Sequence, residues 1–93
     1  MSYEIHITIN ASDLNKKRIK TLVQKIPYGS WTVSNITDDP ILGLGPRYYL
    51  TNHATNLADA TQLMDIMWAN LIEAGYKPIR RKIEHIVYDV RFD

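Results

Sequence analysis

Tyr3-Glu4-Ile5-His6-Ile7-Thr8-Ile9-Asn10 alternates without a break. Tyr3, Ile5, Ile7 and Ile9 fall on one side; Glu4, His6, Thr8 and Asn10 fall on the other. A period of two marks a strand with one buried face. This stretch therefore predicts a strand that lays isoleucines over a core and turns ionisable groups the opposite way.

The segments that follow supply the rest of the core. Ser12 fits a helix N-cap, with Asp13 well placed for the helix dipole. Leu14, Ile19, Leu22, Val23 and Ile26 then form an apolar stripe of helical period, and Pro27-Tyr28-Gly29 ends it. A second strand is expected from Ser30 to Ile36, with Trp31 and Val33 on one face and Thr32, Ser34 and Ile36 on the other. Asp38-Asp39-Pro40 and Gly43-Leu44-Gly45-Pro46 mark a long connection. Arg47 to Asn52 predicts a third strand; if Leu50 points inward, Tyr49, Thr51 and His53 share the opposite face. Asn56 is a good N-cap for a second helix, with Asp59 in its first turn. Leu57, Ala60, Met64, Met67, Leu71 and Ala74 carry that helix's apolar stripe, and Leu63, Ile66, Trp68 and Ile72 widen it. Gly75 is the expected stop residue. A last strand runs from about Ile79 to Phe92.

The order β-α-β-β-α-β predicts an α+β, ferredoxin-like βαββαβ sandwich. It has a four-stranded antiparallel sheet with two helices on one face. Strands 1 and 3 lie in the centre and strand 4 lies beside strand 1. Residues 1–93 form one domain, since 93 residues suffice for one core and no more. A hydrophobic content of 45% can fill that core.

Composition removes several classes of function. Cysteine is absent, so neither a disulfide framework nor a thiolate metal site can form. No apolar run approaches the roughly 20 residues of a membrane span. No signal peptide is visible at Met1-Ser2-Tyr3-Glu4, and the cytoplasm is the expected location. A net charge of +1 does not favour a general nucleic-acid coat or an acidic-membrane binder. Lys16, Lys17, Arg18, Lys20 and Lys25 nevertheless make the first helix basic, and Asp59, Asp65 and Glu73 make the second acidic. Solvated helix faces are the expected reading of both, with a charged contact surface as the alternative.

The predicted fold brings chemistry-bearing residues together. The face away from the helices collects Glu4, His6 and Thr8 from strand 1 and Tyr49, Thr51 and His53 from strand 3. If Ile83 points inward, strand 4 adds Arg80, Lys82 and Glu84. An antiparallel sheet with one wet face is polar there in any case. Two histidines on one surface could also do acid–base work near neutral pH. His6, His53 and Glu84 could make a two-His, one-carboxylate set. Nothing in the sequence fixes their spacing, and no metal or other cofactor is expected.

His6-Ile7-Thr8 and His53-Ala54-Thr55 are both H-x-T tripeptides. Their pairing takes the two central strands as parallel, with both motifs at or just beyond the same ends. Paired H-x-T motifs resemble the two-histidine phosphoesterases, which open 2′,3′-cyclic phosphates or related RNA ends. That resemblance implies one histidine as base, the other as acid, and threonine hydroxyls on phosphate oxygens. The family is about twice as long and builds its site from two lobes, and Thr55 here falls at a helix start. RNA-recognition motifs share the strand order, and Arg47-Tyr48-Tyr49-Leu50 lies where their third-strand motif falls. On the open face, however, strand 1 offers His6 in place of an aromatic. The Glu4-x-His6-x-Thr8 opening, the Arg80-Arg81-Lys82-Ile83-Glu84 strand and the helix ending in Gly75-Tyr76 resemble a small group of uncharacterised bacterial and phage proteins. That resemblance implies no activity; it places interest on strands 1 and 4.

The last strand turns apolar as it proceeds. Ile86, Tyr88, Val90 and Phe92 continue the parity of Arg80, Lys82 and Glu84, while Val87 is apolar on the other side. Either a bulge near His85 switches the faces, or the distal strand is covered on both sides. A second subunit would supply that cover, which places Ile86, Tyr88, Val90 and Phe92 at a homodimer interface. The leading expectation is a non-enzymatic binding or assembly module that self-associates and takes a protein or a small anionic ligand. The alternative is a small acid–base enzyme of phosphoesterase type using His6 and His53, with Thr8 and Lys82 or Arg80 near an anion. An RNA-binding sheet face is the second alternative, and nucleic acid is not the favoured partner.

Overall fold

The computed structural model describes residues 2–10, 16–25, 31–36 and 47–86. In chain order the elements are β1 (Ser2–Asn10), α1 (Lys16–Lys25), β2 (Thr32–Ile36), β3 (Arg47–Ala54), α2 (Leu57–Glu73) and β4 (Pro78–Ile86). The strands form one sheet in the order β2-β3-β1-β4, and every neighbouring pair is antiparallel. This is the ferredoxin-like α+β arrangement expected from the element order.

β1 is central, and its alternation divides the sheet into two faces. Ile5, Ile7 and Ile9 are buried on the helix side. Ile7 and Ile9 meet Tyr48 and Leu50 of β3, Ile19 and Val23 of α1, and Met67 and Leu71 of α2 in the core. Trp31 and Val33 pack against the same cluster, so both helices cover one face. Burying each of these large apolar side chains stabilises the fold by about 1.5–3 kcal/mol. The stripe of α2 is buried at Ala60, Met67 and Leu71, whereas Leu57 at its start and Ile72 near its end are exposed.

The ends of α2 follow their local chemistry. The Asn56 side-chain oxygen accepts from the Asp59 backbone N–H at 2.8 Å, and the Asn56 amide donates to the Asp59 carboxylate at 3.0 Å. The reciprocal pair satisfies an N–H that the helix leaves without an internal partner. At the other end Gly75 adopts φ +90°. Its N–H donates to the Ile72 carbonyl at 3.0 Å, and the Tyr76 N–H donates to the Leu71 carbonyl at 2.9 Å. These two bonds make a Schellman cap. Tyr76 then packs on the core cluster that contains Leu71, which ties the helix end to the protein interior.

The odd-numbered residues of β4 tie it to α2 and to β1. The Arg81 guanidinium lies 4.8 Å from the Trp68 ring and 3.8 Å from the Asp65 carboxylate. The His85 ring stacks on Tyr3 with centroids 4.6 Å apart. Ile83 is opposite Ile5, as parity requires.

Three expectations are corrected. The central strands run antiparallel, not parallel: β1 and β2 each pair antiparallel with β3, which lies between them. His6 is therefore opposite Thr51 and His53 is opposite Glu4, and the two H-x-T tripeptides run in opposite directions. Secondly, no bulge lies at His85, because the β1–β4 register runs unshifted from Arg80 to Ile86. The irregularity is at the other end, where Thr8 pairs with Arg80 and Ile9 with Pro78, so that Ile79 is the extra residue. Thirdly, the open face is not wet along its whole length. Thr8 is only 3% exposed and Arg47, at the same end, only 1%. Parity assigns a side chain to a side of the sheet, but coverage depends on what lies above it.

Ser12, Asp13, Leu14, Ile26, the Pro27-Tyr28-Gly29 stop, the connection through Asp38 and Gly43, and Val87, Tyr88, Val90 and Phe92 lie outside the described residues. No described helix is long and apolar enough to cross a membrane.

A Cβ at Gly75 would meet nothing within 4 Å, so any penalty there comes from the backbone alone. Gly75→Ala is expected to destabilise the protein by about 1–2 kcal/mol, the cost of a left-handed L-residue. Urea denaturation checks this, with an unchanged slope and a lower midpoint as the expected result.

Candidate functional site

The centre of the open face is set by cross-strand register. Glu4 lies opposite Glu84 on β4 and His53 on β3, and His6 lies opposite Lys82 and Thr51. Ser34 of β2 is opposite Tyr49. His6, Ser34, Tyr49, Thr51, Lys82 and Glu84 together line a shallow depression of about 360 Å³. Four strands contribute to it.

His6 is the hub. Its Nδ1 is 3.2 Å from the Thr51 hydroxyl. Its Nε2 is 3.3 Å from Glu4 Oε1 and 4.0 Å from Glu84 Oε2, contacts that are ion pairs when the ring is protonated. The imidazole is half-buried while both carboxylates are more open. Lys82 reaches along its own strand to pair with the other Glu84 oxygen. That hydrogen bond and the ammonium charge hold the Glu84 carboxyl below the usual carboxylate range, against an opposing push from desolvation and with a last, lesser pull from His6.

Glu4 and Glu84 are like charges directly opposite one another, an arrangement that costs stability unless a cation lies nearby. Lys82 occupies that position here, paired with Glu84. Ligand atoms of Glu4, His6 and Glu84 all lie within 4.8 Å of one another, the spacing of groups able to hold a metal ion. The set considered from sequence joined His6 and Glu84 to His53. In the structure Glu4 takes the place of His53.

The remaining candidates lie apart. His53 is exposed and lines a different depression, with Ala54, Thr55, Asp59, Gln62 and Leu63 near the start of α2. Thr55 is exposed beyond the end of β3. Arg80 is exposed and opposite the buried Thr8. Ile86, half-buried, continues the open-face parity opposite Ser2. Ser34 was not among the residues singled out. Its outward parity is readable beside Trp31 and Val33, but its place opposite Tyr49 needs the register of β2. A further depression, between α1 and the end of α2, gathers Lys17, Arg18 and Lys25 of the basic helix.

The sequence matches no protein-family model and no curated protein. The class that fold and site define is therefore a ferredoxin-like domain with a polar, ionisable centre on its open sheet face.

The pH behaviour of Glu84 follows from its pairing. A carboxyl depressed in the folded state contributes stability that is fully present above the unfolded carboxylate range and is lost as pH falls through the lower folded value. Lys82→Met is expected to move the Glu84 titration midpoint upward, toward the ordinary range. Carbon NMR of the side-chain carboxyl over an acid titration checks this, and an unmoved midpoint would show that Lys82 is not the cause.

Proposed function

We propose that the protein is a small non-enzymatic binding module that acts as a homodimer and takes a small anionic ligand on its open sheet face. One observation carries the ligand reading: His6, Tyr49, Thr51, Lys82 and Glu84 converge on one depression at the sheet centre. Lys82 supplies the cation for an anionic group, and the hydroxyls of Ser34 and Thr51 can hydrogen-bond its oxygens. Lys82 is exposed, so a ligand can draw it from Glu84 at modest cost.

Binding without turnover is favoured because His6 and His53 line different depressions. A base and an acid acting on one phosphate must both reach it. A base-stacking RNA surface has less support, since Tyr49 is the one Phe, Tyr or Trp on the open face of β1 and β3. Dimerisation rests on the sequence of the last strand. β4 is an edge of the sheet, Ile86 lies on its open side, and Tyr88, Val90 and Phe92 extend the same parity. An apolar edge of this kind needs cover.

Amide NMR titration with phosphate and small dicarboxylates should shift the resonances of His6, Tyr49, Thr51 and Lys82 together, and Lys82→Ala should abolish the response. Light scattering after size exclusion should give twice the chain mass, with Phe92→Asp giving one. A strict monomer at high concentration would overturn the dimer. Turnover of a cyclic phosphate that is lost in both His6→Ala and His53→Ala would overturn the non-enzymatic reading.

A further inference from the structure

We propose that Glu4, His6 and Glu84 form a site for one divalent first-row transition-metal ion, of which Zn²⁺ is the probe. The site shares the open face with the ligand depression but does not depend on that ligand.

One donor pair already has the spacing of a loaded site, and all three donors lie within 4.8 Å of one another. An ion about 2.0–2.2 Å from its nitrogen and oxygen ligands, with tetrahedral angles, sets those ligands about 3.3–3.5 Å apart. The His6 Nε2 and Glu4 Oε1 atoms are 3.3 Å apart. The Glu84 oxygen is 4.0 Å from the same nitrogen and comes into range by rotation of an exposed carboxyl group. The two carboxylates come from directly opposed residues on paired strands, so the sheet itself sets their separation.

A second observation concerns His6 rather than the acids. Ligating histidines are oriented by a hydrogen bond from the ring nitrogen that does not bind the metal. Thr51 supplies such a partner, 3.2 Å from Nδ1. With Nδ1 on Thr51, the ring presents Nε2 to the carboxylate oxygens 3.3 and 4.0 Å away, the atom a metal ion would take. Three protein ligands also leave the ion at least one further position. Mixed imidazole and carboxylate donors suit zinc or manganese better than calcium, which takes oxygen ligands alone. Lys82 is the internal competitor, since it neutralises Glu84 while no metal is bound.

Isothermal titration of the full chain with Zn²⁺ at neutral pH tests the proposal. The expected result is one ion per chain, with the His6 Nε2 resonance displaced in nitrogen NMR. His6→Ala and Glu84→Gln should each weaken binding at least tenfold, and Thr51→Val by about tenfold through loss of ring orientation. His53→Ala should leave it unchanged. An amide spectrum of each variant verifies its fold; Glu84→Gln keeps the size of an exposed side chain, so it tests ligation even if His6→Ala fails to fold. Absence of stoichiometric binding, or binding that survives Glu84→Gln, would overturn the site. Failure of the anion titration in metal-free protein would count against the proposed ligand and leave the metal result standing, so the two readings fail separately.

Discussion

The structure depends on the position of β1 between two antiparallel neighbours. A strand paired on both sides has no freedom of register, and every residue on it acquires a fixed partner to the left and to the right. For the isoleucines this constraint builds the core, since Ile5 and Ile7 bring Ile83, Asn52 and Leu50 to the same face. For Glu4 and His6 it builds the polar centre, with the same hydrogen bonds and the opposite parity. Core and candidate site are the two sides of one alternation. A slip of one residue on β1 would exchange them, putting carboxylates against the helices and isoleucines in water.

The helix layer reinforces that register from one side only. Arg81 on Trp68 and Asp65, and the stacked Tyr3 and His85 rings, fix β4 against its neighbours. None of these contacts consumes a residue of the open face. Glu84, Lys82 and His6 are thus held by their backbones while their side chains remain free to change partners. Such an arrangement suits a surface that exchanges an internal cation for a bound one. The cost of the unpaired form is kept low because Lys82 and Glu84 are exposed and well solvated.

The legible part of the fold was carried by residues whose meaning is local. Alternation from Tyr3 to Asn10 set β1, Asn56 and Asp59 set the start of α2, and Gly75 set its end. The membership of the open face also followed from parity. What escaped was whatever depends on register or on coverage. The antiparallel relation of β1 and β3 separates the two H-x-T tripeptides, although each reads the same on paper. The grouping of Glu4 with His6 and Glu84 requires knowing which residue of β4 faces which residue of β1. The burial of Thr8 and Arg47 needs a third dimension that a strand pattern does not contain. The irregularity at Ile79 is hidden because Pro78-Ile79-Arg80 reads as continuous strand.

That irregularity works as a joint in the chain. Pro78 sits opposite Ile9 of the core face, whereas Arg80, two residues on, sits opposite Thr8 of the open face. The extra residue at Ile79 reverses the phase of the chain as it leaves the Gly75–Tyr76 turn and enters the sheet. Ile79 is 48% exposed and is not needed by the core. The bulge therefore separates two inheritances: how α2 ends, and which way Lys82 and Glu84 point. A residue inserted into or removed from the connection before β4 can be taken up at this joint. The ionisable centre would keep its geometry while the route into it drifts.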